Sequence, residues 1–230
     1  SLSEKIKEFR DERLFLIQEG RIPIQLSYRS PIVLHLIPYS ALYTPDLSRI
    51  NFKVNEENYH LIAPLKSPVS QSRYNLEGYL NYGHFTENGS CSGYVQIFRN
   101  GIIESVETRL IYPHSDNKKY VPSRLLEEKI IDKTRIYLNF QRKMGVLPPI
   151  AMFVSLLNIR GYYLAVKHNL DRFGDRQFLL QREDLHLPEL IFEDYPYDVP
   201  SALRELFDSL WNAFGWDRSY DYGEDGVWNP

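Results

Sequence analysis

The chain has 230 residues, a formal net charge of −3, an apolar fraction of 43% and 17 tyrosines. That length accommodates one large domain or two small ones, and the single cysteine, Cys91, excludes an internal disulfide and a multi-cysteine zinc site. No apolar run reaches membrane-spanning length and no signal peptide is visible, so the expectation is a cytoplasmic protein with no membrane partner.

Charge is unevenly spread along the chain. Glu183 to Pro230 holds twelve acidic residues against Arg204 and Arg218, about −10, which leaves residues 1–182 near +7. Either the basic body meets an anionic partner, or the two regions attract each other in the fold. The chain opens on an amphipathic helix over residues 3–19, with a capping-box pattern at Ser1 to Glu4 and Gly20 placed to end it. Ile6, Phe9, Leu16 and Ile17 recur at helical spacing, with Arg10 and Arg13 beside the stripe. An opening on a charged helix reads as the start of a domain cut from something longer.

Ile22 to Leu26 reads as a short edge strand because Pro23 cannot donate to a ladder. Ile32 to Ile37 is a continuous apolar run of strand length and reads as a central strand, with His35 as a hydrogen-bonded core residue. Tyr39 to Asn51 reads as a helical turn and loop, and Pro64 to Ser72 as a mobile connection. Tyr74 to Tyr82 alternates apolar and polar residues and reads as one half-buried strand, followed by a polar loop over 83–93.

The central element is the segment from Gly93 to Glu107. Asn100-Gly101 between two apolar runs predicts a two-residue type I′ hairpin, because that turn needs positive φ at both positions. The register then pairs Arg99 with Ile102, Phe98 with Ile103, Ile97 with Glu104 and Val95 with Val106. Val95, Ile97 and Val106 share one face, and Tyr94, Phe98 and Ile103 share the other. Both faces are mostly apolar, so the hairpin belongs inside a covered sheet.

Ser123 to Met144 reads as a helix capped by Ser123 and ended by Gly145, with Leu126, Ile130, Tyr137, Phe140 and Met144 inward. Arg124, Lys129, Lys133, Arg135, Arg142 and Lys143 read as its solvated face. Ile150 to Leu157 reads as a strand with Tyr162 to Val166 as its hairpin partner, and 178–180 and 190–192 as two more strands. Pro200-Ser201 starts a helix whose face is Leu203, Leu206, Phe207, Leu210, Trp211 and Phe214. Residues 216–230 form an acidic, aromatic tail without periodicity. The pattern predicts one α+β domain over residues 1–230: a mixed or mainly antiparallel sheet with a central Asn-Gly hairpin, packed by three amphipathic helices.

Chemistry is harder to find. The chain lacks a Walker-type loop, a dinucleotide fingerprint and an H-E-x-x-H motif, so no cofactor or metal is expected. Cys91 near His84, and His168 with His186, are the only nucleophile and metal pairings to weigh, and both read as ordinary residues. Glu183-Asp184, Glu193-Asp194 and Glu224-Asp225 read as solvated acidic surface, with a cryptic hydrolase or nuclease as the alternative. Basic residues interleaved with aromatics point to a nucleic-acid-binding sheet face built from Arg73, Tyr79, Tyr82, Arg99, Lys118 and Lys119, with Tyr74, Tyr120 and Arg160 to Tyr163 nearby in pattern.

Four stretches, Ile32 to Ser40, Arg73 to Gly78, Tyr94 to Gly101 and Leu210 to Trp216, together with the tail, span most of the chain. In combination they resemble the C-terminal region of bacterial proteins that carry an N-terminal Schlafen-type, AlbA-like DNA-binding domain. That domain is not in this sequence, so no catalytic residue carries over. The resemblance implies a non-catalytic sensor, recognition or assembly module of a nucleic-acid-directed protein, in an antiphage-defence setting. It also implies a protein trigger or self-association, with nucleic acid as a further partner.

Overall fold

The computed structural model describes residues 1–43, 61–111, 118–167 and 178–230, without the side chains of His84 and Phe85. The expected loop beyond residue 43, the loop at 169–176 and His168 lie outside these residues. Helix α1 runs Leu2–Gln18 and starts on the expected capping box at Ser1 and Glu4. Strands follow at β1 (Ile32–Pro38), β2 (Gln71–Tyr74), β3 (Gly78–Phe85), β4 (Cys91–Phe98), β5 (Ile103–Glu107) and β6 (Tyr120–Pro122). Helix α2 (Ser123–Lys143) leads to β7 (Ile150–Leu156), β8 (Tyr163–Ala165), β9 (Leu185–His186), β10 (Leu190–Phe192) and helix α3 (Val199–Ala213).

The main sheet has the order β10-β7-β1-β5-β4-β3-β2, with β9 also on β7, and its pairs are antiparallel. The fold is α+β. Strand β1 sits between β5 and β7 and is buried throughout, which is why Ile32 to Ile37 reads as unbroken apolar sequence. Helices α2 and α3 cover one face, where Leu34, Val95, Ile97, Ile103 and Val154 meet Leu126, Ile130, Leu206 and Trp211. Helix α1 covers the other face. Its Leu14 and Ile17 pack with Val33, Tyr94 and Val106, and its Ile6 packs with Ile37, Phe98 and Phe153.

Six expectations need correction. The hairpin is one residue out of the predicted register: Ile97 faces Ile103, Gln96 faces Glu104 and Tyr94 faces Val106. Phe98 and Ile102 close a three-residue loop in which Gly101, but not Asn100, takes positive φ (87°). This is the turn-plus-glycine-bulge loop rather than type I′. The shift moves Ile103 to the α2 face and Val106 to the α1 face.

Secondly, Tyr74 to Tyr82 is not one strand but the hairpin β2–β3. Its turn at 75–77 forms because Asn75 accepts the Gly78 N–H through Oδ1. Among the described residues, the segment over 22–26 makes only an isolated bridge, Leu26 with Cys91. Strand β8 pairs in parallel with β6, not with β7. Finally, 178–180 is not a strand, and the 64–72 connection is a packed element with Pro64, Leu65 and Ser67 buried.

Candidate recognition groove

The predicted aromatic and basic residues are dispersed in four places. Tyr79 and Tyr82 are buried on opposite faces of β3, in the α2-side and α1-side cores respectively. Arg73 stacks over Tyr82 at 5.6 Å and donates to the Pro23 carbonyl. Arg99 is a staple of the hairpin loop: its Nε donates to the Leu76 carbonyl and its Nη2 to that of Asn75. Lys118 and Lys119 are exposed at the start of the separate β6–β8 ribbon. These six side chains therefore do not make one surface.

The buried acids are used as anchors. Glu104, fully buried on the α1 face, receives Arg13 Nε at Oε2 and Arg13 Nη2 at Oε1, each at 2.8 Å. Tyr94 Oη donates to Oε1 at 2.7 Å, and His35 Nε2 lies 2.9 Å from Oε2. Since a carboxylate only accepts, His35 presents Nε2–H there. Burial alone would push the Glu104 carboxyl up, but Arg13 and His35 outweigh it and hold it near 2. Arg13 also lies over the Phe98 ring, and Arg10 over that of Phe153, so the arginines beside the α1 stripe are docking groups for the helix. His35 is the hydrogen-bonded core residue that its setting predicts.

Glu127 plays the same part for the tail. Its Oε1 accepts from Trp211 Nε1 and Ser219 Oγ, and its Oε2 from Trp228 Nε1. Burial first, and then the charge of Asp221, push it up to about 7, against the three hydrogen bonds. The tail is thus packed onto α2 and α3 with Tyr222 buried. Cys91 is buried, and burial raises its thiol to about 11, far from the thiolate a nucleophile needs. Glu183 pairs with Arg160, and Asp184 accepts from Gln18 and the Asn158 N–H. Among the described residues, no three His, Cys, Asp or Glu side chains gather as a metal site.

A concavity with a strongly charged wall lies where the 63–68 segment meets α2. Glu107, the third buried glutamate, shapes it. Its Oε2 accepts the backbone N–H groups of Lys66 (2.8 Å) and Ser67 (2.6 Å), and its Oε1 accepts Ser67 Oγ and the Arg109 N–H. Tyr137 Oη donates to the Ala63 carbonyl and so ties the segment to α2. Gly83 lets it approach the sheet, since a Cβ there would sit 2.2 Å from the Pro68 carbonyl oxygen. Opposite, α2 presents Lys129, Asp132, Lys133 and Arg135.

The groove encloses about 410 Å³, and its charged lining is four cations, with Lys66, against one acid. Lys129 and Lys133 stack one turn apart on the helix, and burial, followed by the Lys129 charge, depresses the Lys133 ammonium. The sequence pattern reads these α2 cations as an ordinary solvated face. The available clue was the i, i+4 lysine pair, which has meaning only once Lys66 is placed opposite. Among the described residues, no helix is long and apolar enough to cross a membrane. Comparison of the chain with protein-family models, curated proteins and solved structures returns no match.

Proposed function

We propose that this chain is a recognition module: it binds an anionic partner in the groove between the 63–68 segment and α2, and does not itself turn over a substrate. The single observation that supports this is the composition of that groove. It concentrates Lys66, Lys129, Lys133 and Arg135 around one acid, Asp132. Of the acids weighed for a hydrolase, Glu183 pairs with Arg160 and Asp184 accepts from Gln18 and the Asn158 N–H, while the buried glutamates serve as anchors: Glu104 for Arg13, Glu107 for the 66–67 backbone and Glu127 for two tryptophans. The Schlafen-type resemblance agrees with such a role, as an accessory region beside a nucleic-acid-directed domain in antiphage defence.

The purified chain tests the reading in two parallel assays. Conversion of oligonucleotides and of phosphoester and carboxylester reporters is followed by mass spectrometry, and self-association by sedimentation. Association of the chain with itself or with an added anionic macromolecule, without conversion, is expected. Sustained conversion that co-purifies with the chain and is lost in a groove variant overturns the reading.

A further inference from the structure

Resting on that reading, we infer that the groove takes the phosphate groups of a nucleotide or an oligonucleotide, with Lys133 at its centre and Lys66, Lys129 and Arg135 around it. The cations of the groove are unequally partnered. Lys129 is drawn to Glu128 at 3.2 Å, and Arg135 to Asp132 at 3.6 Å. Among the described residues, Lys66 Nζ reaches only the Arg109 carbonyl, at 3.4 Å. Lys133 is half-buried and forms no ion pair or hydrogen bond with the described residues.

A half-buried ammonium stacked on a second lysine loses hydration and gains repulsion. Such an arrangement is relieved by an anion that brings several acceptor oxygens at once. A phosphate does this, because its oxygens accept from several ammonium donors together, whereas a single carboxylate carries one charge and two oxygens.

The groove is also held in shape before any ligand arrives. Glu107 fixes the Lys66 and Ser67 backbone from beneath, and Tyr137 fixes Ala63. The Lys66 and α2 walls therefore need little ordering on binding, which favours affinity. The Glu107 carboxylate is occupied by four donors on the core side. Its presence lowers the net field that an incoming anion feels but does not occupy the groove.

The test uses the whole chain with three probes: inorganic pyrophosphate, ATP and a short fluorescein-labelled oligothymidylate. Binding is read by calorimetry for the first two and by anisotropy for the third. Saturable binding is expected, weakened roughly tenfold or more in Lys133→Gln, the loss expected of one charged hydrogen bond. Lys5→Gln, on α1, should bind as the parent does. For the oligonucleotide, the slope of log affinity against log salt should shrink by roughly 0.7 per lost phosphate contact.

Tighter binding of ATP than of the oligonucleotide identifies a nucleotide site, and the reverse identifies a strand-binding one. If Lys133→Gln does not fold by thermal melting, Lys129→Gln replaces it. Protection of Lys133 from acetylation by the bound probe in the parent chain then gives a second readout. No binding of any probe overturns the phosphate assignment but leaves a recognition role through another anion. Undiminished binding in the lysine variants, or equal acetylation with and without probe, overturns the groove as the site.

Discussion

Removing Arg13 is the sharpest test of how α1 is held to the sheet. Arg13→Met keeps most of the aliphatic length but leaves Glu104 buried with only Tyr94 and His35 as partners. Breaking a buried ion pair from one side typically costs about 3–5 kcal/mol. The two surviving hydrogen bonds place the expected loss at the lower end, about 3 kcal/mol. Folding also holds Glu104 near 2 against an ordinary value near 4.5, the net depression left after Arg13 and His35 together offset its burial.

The sign follows from the direction of that shift. A carboxyl depressed by folding contributes stability that is complete above about 4.5 and is lost as pH falls toward 2. Urea unfolding followed by circular dichroism from pH 3 to pH 8 measures both effects. The parent should lose stability on acidification through this window. Arg13→Met should be destabilised at pH 7 and show a weaker acid loss, because Glu104 no longer holds its low value. Arg13→Met combined with Glu104→Gln should recover part of the loss by removing the stranded charge. A single variant within about 0.5 kcal/mol of the parent, as for an ordinary surface change, would refute the argument.

Other outcomes follow from the same contacts. Glu127, raised to about 7, binds its proton more tightly folded than unfolded, so stability should fall as pH rises from about 4.5 to 7. Glu127→Gln should flatten that fall by at most about 3 kcal/mol, read from urea midpoints, and an unchanged slope contradicts the assignment. Gly101→Ala should cost about 1–2 kcal/mol because Gly101 takes φ of 87°, whereas Asn100→Ala should cost less than about 0.5. Equal losses would restore the two-residue turn. Cys91 should resist thiol reagents in the native state and react on unfolding, and prompt native labelling would contradict its burial.

Where local pattern decides the structure, the sequence is readable. The capping box at Ser1, the Ile32 to Ile37 run and the face of α3 each depend on residues within a few positions of one another. Elsewhere, distant contacts decide between local options. Asn100-Gly101 suits either a two-residue loop or a three-residue one. The longer loop forms where the Arg99 N–H bonds the Glu77 carbonyl and its side chain caps residues 75–76. Alternation runs through Asn75 to Glu77 without a break, so it conceals the turn that the Asn75 side chain makes. The groove was invisible for a similar reason, since one wall lies on α2 and the other is held by Glu107 on β5.

The three buried glutamates connect these outcomes. Glu104 receives Arg13 of α1, Glu107 receives the backbone of residues 66–67, and Glu127 receives Ser219 and Trp228 of the tail. In each case a segment outside the main sheet is fixed by donors aimed at one carboxylate in the core. Apolar burial alone would tolerate small slides of such a segment, whereas two or three directed hydrogen bonds to one desolvated carboxyl group do not. The tail illustrates the difference. Its acidity suggests attraction to a basic body, yet the contact that fixes it brings neutral donors, an indole N–H and a serine hydroxyl, to a glutamate. Added salt should therefore leave the tail in place, because hydrogen bonds inside the core are screened little, while the exposed cations of the groove lose their hold on an anion under the same conditions.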